Sequence, residues 1–429
     1  MTTHDSNRQG NTALYIPENL HLESVLPSHL KRYQDGAAWL IDQIFKGTHL
    51  ANRAEEDGYV PLKAAYLRKV IPDRILMQMK QCLLDQQIIE TDNHYVVGQK
   101  SIGYRLGPQY RESSHRRCPI SDPKIIERVN QLRRGDLSRL SDVHHYLFKQ
   151  FEYITWDVHQ MFSIIDGLAD RVDLDTLQKH SFLASQRLAA EQLINHDWVP
   201  TVCQYGRYHS PLTRIVSECR SCLRINDQVP VNLDIANSQP LFLGLLLLEK
   251  TNNPEKAPQP IAQGQYGRSP IVYDEYFSPD VAKYLQLTQE GVLYDRLSRN
   301  SHISRREFKE KLFQDVYYGH NWIHTDLTDV FEQQFPTIYE FIRQQKKNNY
   351  KRLSWLMQKA ESRFMLNGVC TRLMNDHSEI VILTIHDSIM TTPEHAHTVK
   401  IVMLDEFRKV GLQPTIRTES YRSSVSSVA

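Results

Sequence analysis

Two aspartates interrupt two apolar runs that lie far apart in the chain. Asp234 lies within residues 231–243, and Asp387 follows residues 382–385. In each place a run typical of a buried strand ends and polar residues begin. Burying a carboxylate is costly unless it is paired or binds a metal. The two aspartates therefore predict a site where two strand ends meet and carboxylates bind divalent cations, an arrangement suited to in-line phosphoryl transfer.

The overall charge does not mark the chain as a nucleic-acid-binding protein. The chain has 429 residues and a formal net charge of +1. It can therefore bury the cores of two or three domains, but it is not a polycation. Any basic groove must come from local clusters of Arg and Lys, which occur in residues 214–224, 305–311 and 346–352. Each cluster taken alone is more simply a solvated helix face.

Cysteine usage and apolar segments indicate where the protein resides. The six cysteines have no regular spacing, which favours a reducing compartment over a disulfide framework. Cys219 and Cys222 form a lone C-x-x-C pair, which is insufficient for a zinc site. Residues 1–28 carry no signal-like segment, and the apolar run of residues 241–248 is too short to span a bilayer. We therefore expect a soluble, cytoplasmic protein without membrane contacts.

The chain divides into four predicted segments. Residues 1–28 are polar and are expected to be a flexible N-terminus. Residues 29–110 have the pattern of a winged-helix-like domain, in which helices precede a hairpin. Its predicted elements are helices at residues 61–70 and 74–86, a strand at 88–91 and a returning strand at 95–97. Residues 111–197 are expected to be a helical linker, and residues 198–429 the catalytic domain. Residues 252–273, rich in Pro, Gly, Gln and Asn, are a predicted loop.

The role of the winged-helix-like domain is open. Such a domain can bind nucleic acid, but it can equally be a packing domain or a docking surface for a partner protein. Its second helix carries only Arg74 and Lys80 as cations, which is a thin basic face for groove binding.

Three segments, taken in order, resemble the motifs of family A DNA polymerases and of phage-type single-subunit RNA polymerases. They are the Asp234 strand, a basic helix with aromatic residues at 305–319, and the strand that carries Asp387. The resemblance covers about residues 201–410. It implies a mostly helical α+β fold, with a right-hand palm and fingers and antiparallel palm strands. The winged-helix-like domain would precede this part, and part of residues 111–197 would form a thumb.

The resemblance assigns metal binding to the two aspartates. Asp234 and Asp387 would bind two Mg²⁺ ions, with Mn²⁺ as an alternative and the carbonyl of Ile235 as a further ligand. His386 would approach the growing 3′ end. Mg²⁺ prefers hard oxygen ligands and keeps several waters, so two carboxylates and substrate phosphates suffice. From the residues alone, Asp234 could equally cap a helix that begins near Pro240.

The basic helix supplies the predicted nucleotide-binding residues. Residues four apart on a helix share a face, and four such residues line up here: Arg305, Lys309, Phe313 and Tyr317. The resemblance implies that the two cations hold the incoming triphosphate and that the two rings shape the base-pair pocket. Gly319 lies one residue later than in the family pattern, so the register at the end of this helix is open. An amphipathic surface helix is the alternative.

Further residues resemble the elements that contact the sugar and the duplex. Gln239 lies five residues after Asp234, where family A DNA polymerases carry a glutamate that excludes ribonucleotides. Ser388, in contrast, resembles the RNA polymerases. The segment that contains Arg207, followed by Thr213 and Arg214, resembles an element that contacts the primer–template backbone.

These expectations lead to a template-directed nucleotidyltransferase that adds nucleotides to a nucleic-acid 3′ end. We expect a DNA polymerase without proofreading, because residues 1–200 show no paired acidic motifs of an exonuclease. Its partners would be a primer–template and a dNTP or NTP, and the N-terminal domain could bind a partner protein. The alternatives are a single-subunit RNA polymerase or primase-like enzyme, a phosphate hydrolase, or a non-catalytic nucleic-acid-binding replication or regulatory protein of a mobile element.

Overall fold

The structure, a computed structural model, describes residues 13–50, 57–168, 171, 176–251, 278–300 and 303–421. The chain forms two compact units whose segments alternate along the sequence. The first unit comprises Met1–Leu140, Trp156–Val199 and Ser210–Cys222, and the second comprises Ser141–Thr155, Pro200–His209 and Leu223–Ala429. Each unit has its own hydrophobic core.

The protein is mostly helical. The α-helices span Leu22–Val25, Ser28–Lys31, Gln34–His49, Ala64–Leu67, Asp73–Asp85, Pro108–Arg111, Pro123–Leu137, Asp142–Lys149, Val158–Gly167, Thr176–Ile194, Ser238–Thr251, Pro279–Glu290, Leu293–Leu297, Arg305–Lys311, Asp326–Gln334, Pro336–Lys346, Arg352–Ser362, Thr371–Asp376 and Ala396–Lys409. Two further segments, Leu312–Tyr317 and Arg363–Cys370, are π-helical. Within the part of the chain that the structure describes, every helix is too short or too polar to cross a bilayer.

The strands are short and form small antiparallel sheets. They span Ala13–Pro17, Val60–Pro61, Ile89–Thr91, Gly103–Leu106, His115–Pro119, Ile154–Trp156, Thr201–Val202, Tyr208–His209, Leu223–Ile225, Val231–Ile235, Leu383–Ile385, Ser388–Thr391 and Ile416–Ser420.

Part of the predicted flexible N-terminus is a strand in the first unit. Ala13–Pro17 pairs antiparallel with His115–Pro119, and its side chains are buried in the core. The backbone N–H of Tyr15 donates to the buried Asp42 carboxylate at 2.7 Å. The prediction for residues 1–28 was therefore wrong from residue 13 onward. A short apolar run flanked by polar residues gives little signal when its partner strand lies far along the chain.

The predicted winged-helix-like segment contains a three-stranded antiparallel sheet in which Gly103–Leu106 lies between Val60–Pro61 and Ile89–Thr91. The returning strand of the hairpin is thus residues 103–106 rather than the predicted residues 95–97. Residues 95–97 lie in the connection, although their types favour a strand. The Asp92 side chain accepts the N–H of Gly103 at 2.8 Å, and this local bond helps to set the register of the hairpin.

The predicted helical segment of residues 111–197 is mostly helical but also contains the strands His115–Pro119 and Ile154–Trp156, and it is divided between the two units. The helix Asp142–Lys149 belongs to the second unit, whereas Pro123–Leu137 and Thr176–Ile194 belong to the first. Burial explains the division, because Leu147 is part of the second core and Val129 is part of the first.

The second unit contains a four-stranded antiparallel sheet, and it lies within the predicted catalytic domain of residues 198–429. Its strand order is Leu383–Ile385, Ser388–Thr391, Val231–Ile235 and Ile416–Ser420. The helix Ser238–Thr251, which follows the central strand, packs against Arg352–Ser362. The predicted loop of residues 252–273 lies outside the described residues.

Candidate active site

The sheet of the second unit brings the two predicted catalytic aspartates side by side. Asp234 pairs across the strands with Ser388. Asp387 immediately precedes Ser388, in the two-residue turn after Ile385. Directly paired residues in antiparallel strands have Cα atoms about 5 Å apart. The two carboxylates therefore belong to one end of the sheet, as the sequence predicted for two meeting strand ends.

The surroundings of both aspartates disfavour negative charge. Burial raises the pKa of Asp234 to about 7, and the neighbouring Asp387 carboxylate is the second cause of this rise. Burial also raises the pKa of Asp387, while a polar contact with Ser238 and the positive charges of Arg207 and Lys309 lower it. Two like charges held together in a partly buried place repel each other, so the site is suited to an added cation.

The backbone beside each aspartate adopts a left-handed conformation. His386, next to Asp387, has φ 56°, and Asn237, three residues after Asp234, has φ 53°. Non-glycine residues adopt such values rarely and at some cost, and they do so more often at functional sites. Both side-chain amide atoms of Asn237 are buried without a hydrogen-bond partner among the described residues. The His386 ring meets the His209 ring edge-on at 5.8 Å.

Arg207 is held by a buried glutamate. Its Nε donates to Oε1 of Glu361 at 2.9 Å, and its Nη2 donates to Oε2 at 3.0 Å. The two side chains are 19% and 2% exposed. A two-pronged ion pair of this kind is strong and geometrically specific. The predicted duplex-binding arginine is therefore fixed in position, and its charge also acts on Asp387.

Gln239 continues this network towards the basic helix. Its side-chain nitrogen donates to Glu361, and its side-chain oxygen accepts from the hydroxyl of Tyr318 at 3.1 Å. Burial raises the pKa of Glu361 to about 7, although the Arg207 charge opposes the rise. A glutamate at position 239 would place a second carboxylate against this one. The neutral amide can donate to Glu361 and accept from Tyr318, which explains why glutamine suits this position.

The basic helix begins at Ser304, whose hydroxyl accepts the N–H of Glu307 at 3.2 Å. Lys309 is exposed, and its charge lowers the pKa of both Asp234 and Asp387. Arg305 makes an exposed ion pair with Asp295 at 2.8 Å, and its guanidinium lies 5.6 Å from the ring centroid of Tyr294. The positive charge of Lys309 thus acts on the two aspartates. Arg305, in contrast, is engaged in a surface ion pair that a ligand could displace.

Gly319 lies one residue later than in the family pattern, and the π-helical end of the basic helix accommodates the additional residue. The N–H of Tyr318 donates to the carbonyl of Phe313 at 2.8 Å, which is the i to i+5 spacing of a π-helix. Gly319 is needed here, because a Cβ on it would lie 2.2 Å from the carbonyl oxygen of Gln314. The widened turn shifts the register, and Tyr318 therefore contacts Gln239.

Tyr317, the tyrosine that we predicted to bind nucleotide, is fully buried. Its hydroxyl lies 3.1 Å from that of Tyr284, and either can donate. Phe313 is half-buried, with its ring 5.4 Å from Tyr317 and 5.1 Å from Tyr318. In this structure Tyr317 lies inside the core, and Phe313 and Tyr318 are the aromatic residues of this segment that keep partial solvent access.

Two of the predicted nucleic-acid-binding residues belong to the other unit. Thr213 and Arg214 lie in the first unit, whereas Arg207 lies in the second. The Thr213 hydroxyl donates to the carbonyl of Ser210 at 2.8 Å, and the Arg214 carbonyl accepts from the Gln186 amide at 3.3 Å. Their role in binding nucleic acid stays a prediction.

The donor set at the acid pair fits a hard divalent cation. The Asp387 carboxylate raises the pKa of Asp234, and a bound cation would relieve this repulsion. Ile235, the predicted carbonyl ligand, pairs with Ile416 in the sheet. The described residues contain no cluster of three or more His, Cys, Asp or Glu side chains arranged for a metal ion. A metal here would thus depend on two carboxylates, backbone oxygens and substrate oxygens.

Comparison with known proteins gives distant structural similarity to solved structures. No protein-family model matches the chain, and no curated protein matches its sequence. Among solved structures it is similar to the POL domain of Pol1 from M. smegmatis in complex with a DNA primer-template and dNTP. The TM-score is 0.28 and the identity 12%, over 62% of this chain and 56% of that chain. A similarity of this size does not assign an activity.

Two residues of the site received no role from the sequence. Glu361 lies four residues after Met357 and eight after Leu353, both of which are buried. An acid in such an apolar helical stripe must be paired, so this pattern could have identified it. Tyr318 could not have been found in this way, because its position depends on the π-helical turn.

Proposed function

We propose that the second unit is a template-directed nucleotidyltransferase that extends a nucleic-acid 3′ end with the help of two divalent cations. The observation that carries the proposal is the register that sets Asp234 beside Asp387, with Lys309 acting on both. Two adjacent carboxylates and a nearby cation provide what a triphosphate substrate needs: oxygen ligands for metal ions and positive charge for its phosphates.

In the proposed reaction, the 3′ oxygen of the primer forms a bond to the α-phosphorus of the incoming nucleotide. The bond from that phosphorus to the β-phosphate oxygen breaks, pyrophosphate leaves, and the hydroxyl proton passes to solvent. Asp234 and Asp387, with the Ile235 carbonyl, would hold Mg²⁺ or Mn²⁺. The bound ions would neutralise phosphate charge and lower the pKa of the 3′-hydroxyl.

The remaining residues have positioning roles in this proposal. Lys309 faces the phosphates, and Arg305 joins it when it leaves Asp295. Phe313 and Tyr318 border the base pair, and His386 approaches the primer end. Tyr317 acts indirectly, because it is buried behind these rings. Arg207, aligned by Glu361, faces the primer–template backbone.

The site favours deoxynucleotides in this proposal. Gln239 is fixed at both ends of its amide by Glu361 and Tyr318, so its side chain cannot swing aside to admit a 2′-hydroxyl. Ribonucleotide addition by an RNA polymerase or primase-like enzyme is the alternative, and the Ser388 resemblance supports it. A family A DNA polymerase-like enzyme is the form of the proposal that we favour.

We further propose that the winged-helix-like domain docks a partner protein. Its helix Asp73–Asp85 exposes Met77, and its hairpin connection exposes Tyr95 and Val97. Of the two cations on this helix, Arg74 is exposed, whereas Lys80 donates to the Tyr104 hydroxyl at 2.6 Å and is therefore engaged. Exposed apolar side chains together with an occupied lysine favour a protein partner over a nucleic-acid groove.

The test is primer extension on a labelled DNA primer–template with Mg²⁺, with dNTPs and NTPs in separate reactions. Asp234→Asn and Asp387→Asn should each lose incorporation by about 1,000-fold or more, because the charge that binds metal is gone. Asp329→Asn, an exposed aspartate in the same unit, is the matched control and should keep full activity. Extension with NTPs alone would indicate an RNA polymerase instead of a DNA polymerase. Full activity in either site variant would refute the proposal.

A further inference from the structure

Three aromatic side chains pack together in one stack: His320 and Trp322, which follow the basic helix, and Tyr350. The ring of His320 lies 5.1 Å from that of Trp322, at an interplanar angle of 19°. The His320 ring also lies 3.8 Å from the ring of Tyr350, at an interplanar angle of 31°. Trp322 is nonetheless 73% exposed. A tryptophan that is stacked and still largely open to solvent presents a flat apolar surface for a ligand.

The stack is held in place by its surroundings. The Asn321 side chain, between the two stacked residues, donates to the carbonyl of Arg343 at 2.9 Å. The N–H of Ile323 donates to the carbonyl of His320 at 3.1 Å, which closes a turn around Trp322. Because the turn that carries Trp322 is already fixed, a ligand that stacks on this ring would lose little binding energy to the immobilisation of the backbone here.

Positive charge accompanies the stack. The ammonium group of Lys351 lies 5.6 Å from the ring centroid of Tyr350. Lys347 and Arg352 are exposed in the same stretch of chain. A flat aromatic surface beside several cations is the combination that binds single-stranded nucleic acid, since every base has a π-face and every nucleotide a negative phosphate.

The stack lies close in the chain to a residue of the candidate active site. Tyr318, which donates to Gln239, lies two residues before His320. We propose that His320, Trp322 and Tyr350 form a stacking platform on which an unpaired template base rests before it enters the active site. This inference depends on the proposed function for the identity of the strand, but the binding itself requires no catalysis.

The test measures binding of the full-length protein to fluorescein-labelled DNA hairpins by anisotropy, in EDTA. The hairpins share one duplex and carry a 5′ overhang of about six nucleotides, an abasic overhang of the same length, or no overhang. The wild type should bind the overhang with bases about 10-fold more tightly than the abasic overhang, which isolates stacking from charge. Trp322→Ala should lose this preference, and Trp322→Phe should keep most of it.

Two controls separate stacking from other effects. Tyr153→Ala removes another exposed aromatic residue of the second unit, 51% exposed, and should leave the preference unchanged. Lys347→Ala and Lys351→Ala should each reduce the slope of log affinity against log salt by about 0.7. The proposed stacking platform would be refuted if Trp322→Ala kept the full preference for the overhang with bases, or if the wild type lacked this preference. Loss of primer extension with the preference intact would count against the proposed enzyme alone.

Discussion

Asp234 and Ser388 face each other across an antiparallel strand pair, and this register places Asp234 against Asp387. The adjacent pair, Leu233 and Ile389, is almost completely buried and holds the strands in register. A slip by one residue would turn Asp234 to the other face of the sheet. The register of these two strands, as well as the presence of two acids, therefore creates the candidate site.

The pKa of Asp234 predicts how stability should depend on pH. Its folded value of about 7 lies above the usual 3.8, so the folded state binds more protons than the unfolded state between these values. Without metal, the protein should therefore lose about 2 kcal/mol of stability as the pH rises from 4 to 8, after allowance for solvent screening. Asp234→Asn should reduce this loss, which thermal melts in EDTA at several pH values will measure. A larger loss in the variant would contradict the prediction.

Addition of Mg²⁺ should offset the loss of folding stability that the two neighbouring carboxylates cause. If the ion binds with a Kd of about 1 mM, a concentration of about 10 mM adds about 1.4 kcal/mol and raises the Tm by about 3 °C at pH 8. Asp387→Asn should abolish this shift, while Asp329→Asn should retain it. Ca²⁺ should act similarly, since it also prefers carboxylate oxygens. Equal shifts in wild type and Asp387→Asn would place the ion elsewhere.

Gln239→Glu should destabilise the protein, although glutamate has almost the same shape. The new carboxylate would face the buried Glu361, and we expect a loss of about 2 kcal/mol at pH 8 that becomes smaller at pH 6, where one of the two acids is protonated. Chemical denaturation at both pH values will measure the loss. The swapped double variant, Gln239→Glu with Glu361→Gln, should recover part of the stability. If it recovers none, the two side chains do not interact as described.

Lys346 is a buried lysine that should matter for stability. Its ammonium group donates to the carbonyl of Val316 at 2.7 Å, at the end of the π-helical segment. Lys346→Met removes the donor and should cost about 2 kcal/mol, whereas Lys347→Met, at an exposed neighbouring position, should cost almost nothing. Thermal melts of both variants will show the difference.

The contribution of Lys346 to folding stability should also depend on pH. Burial lowers the pKa of Lys346 to about 8, so between pH 8 and 10.5 the unfolded state binds more protons and the folded state gains stability as the pH rises. The deficit of Lys346→Met relative to wild type should therefore widen from pH 7.5 to pH 9.5. A deficit that narrows over this range would mean that the lysine is not desolvated.

From the sequence, elements of the second unit were easier to predict than those of the first. The strands beside Asp234 and Asp387 and the basic helix that lies between them in the chain were visible because each is a local change from apolar to polar residues. The strand Ala13–Pro17 and the hairpin partner Gly103–Leu106 were missed or misplaced. Their existence depends on partners and capping bonds that are distant in sequence, which periodicity does not report.

The sequence by itself determined which residues could carry the chemistry: two carboxylates at strand ends and a lysine on a helical face. Only the tertiary structure decided how they meet. It fixed the strand register that joins the carboxylates, and it set Gln239 against Glu361, 122 positions apart in the chain. It also placed Tyr318 rather than Tyr317 at the site, because the π-helical turn is a property of packing. The chemical type of each side chain can be read directly from the sequence, whereas the pairing of distant residues depends on the burial that the whole fold achieves.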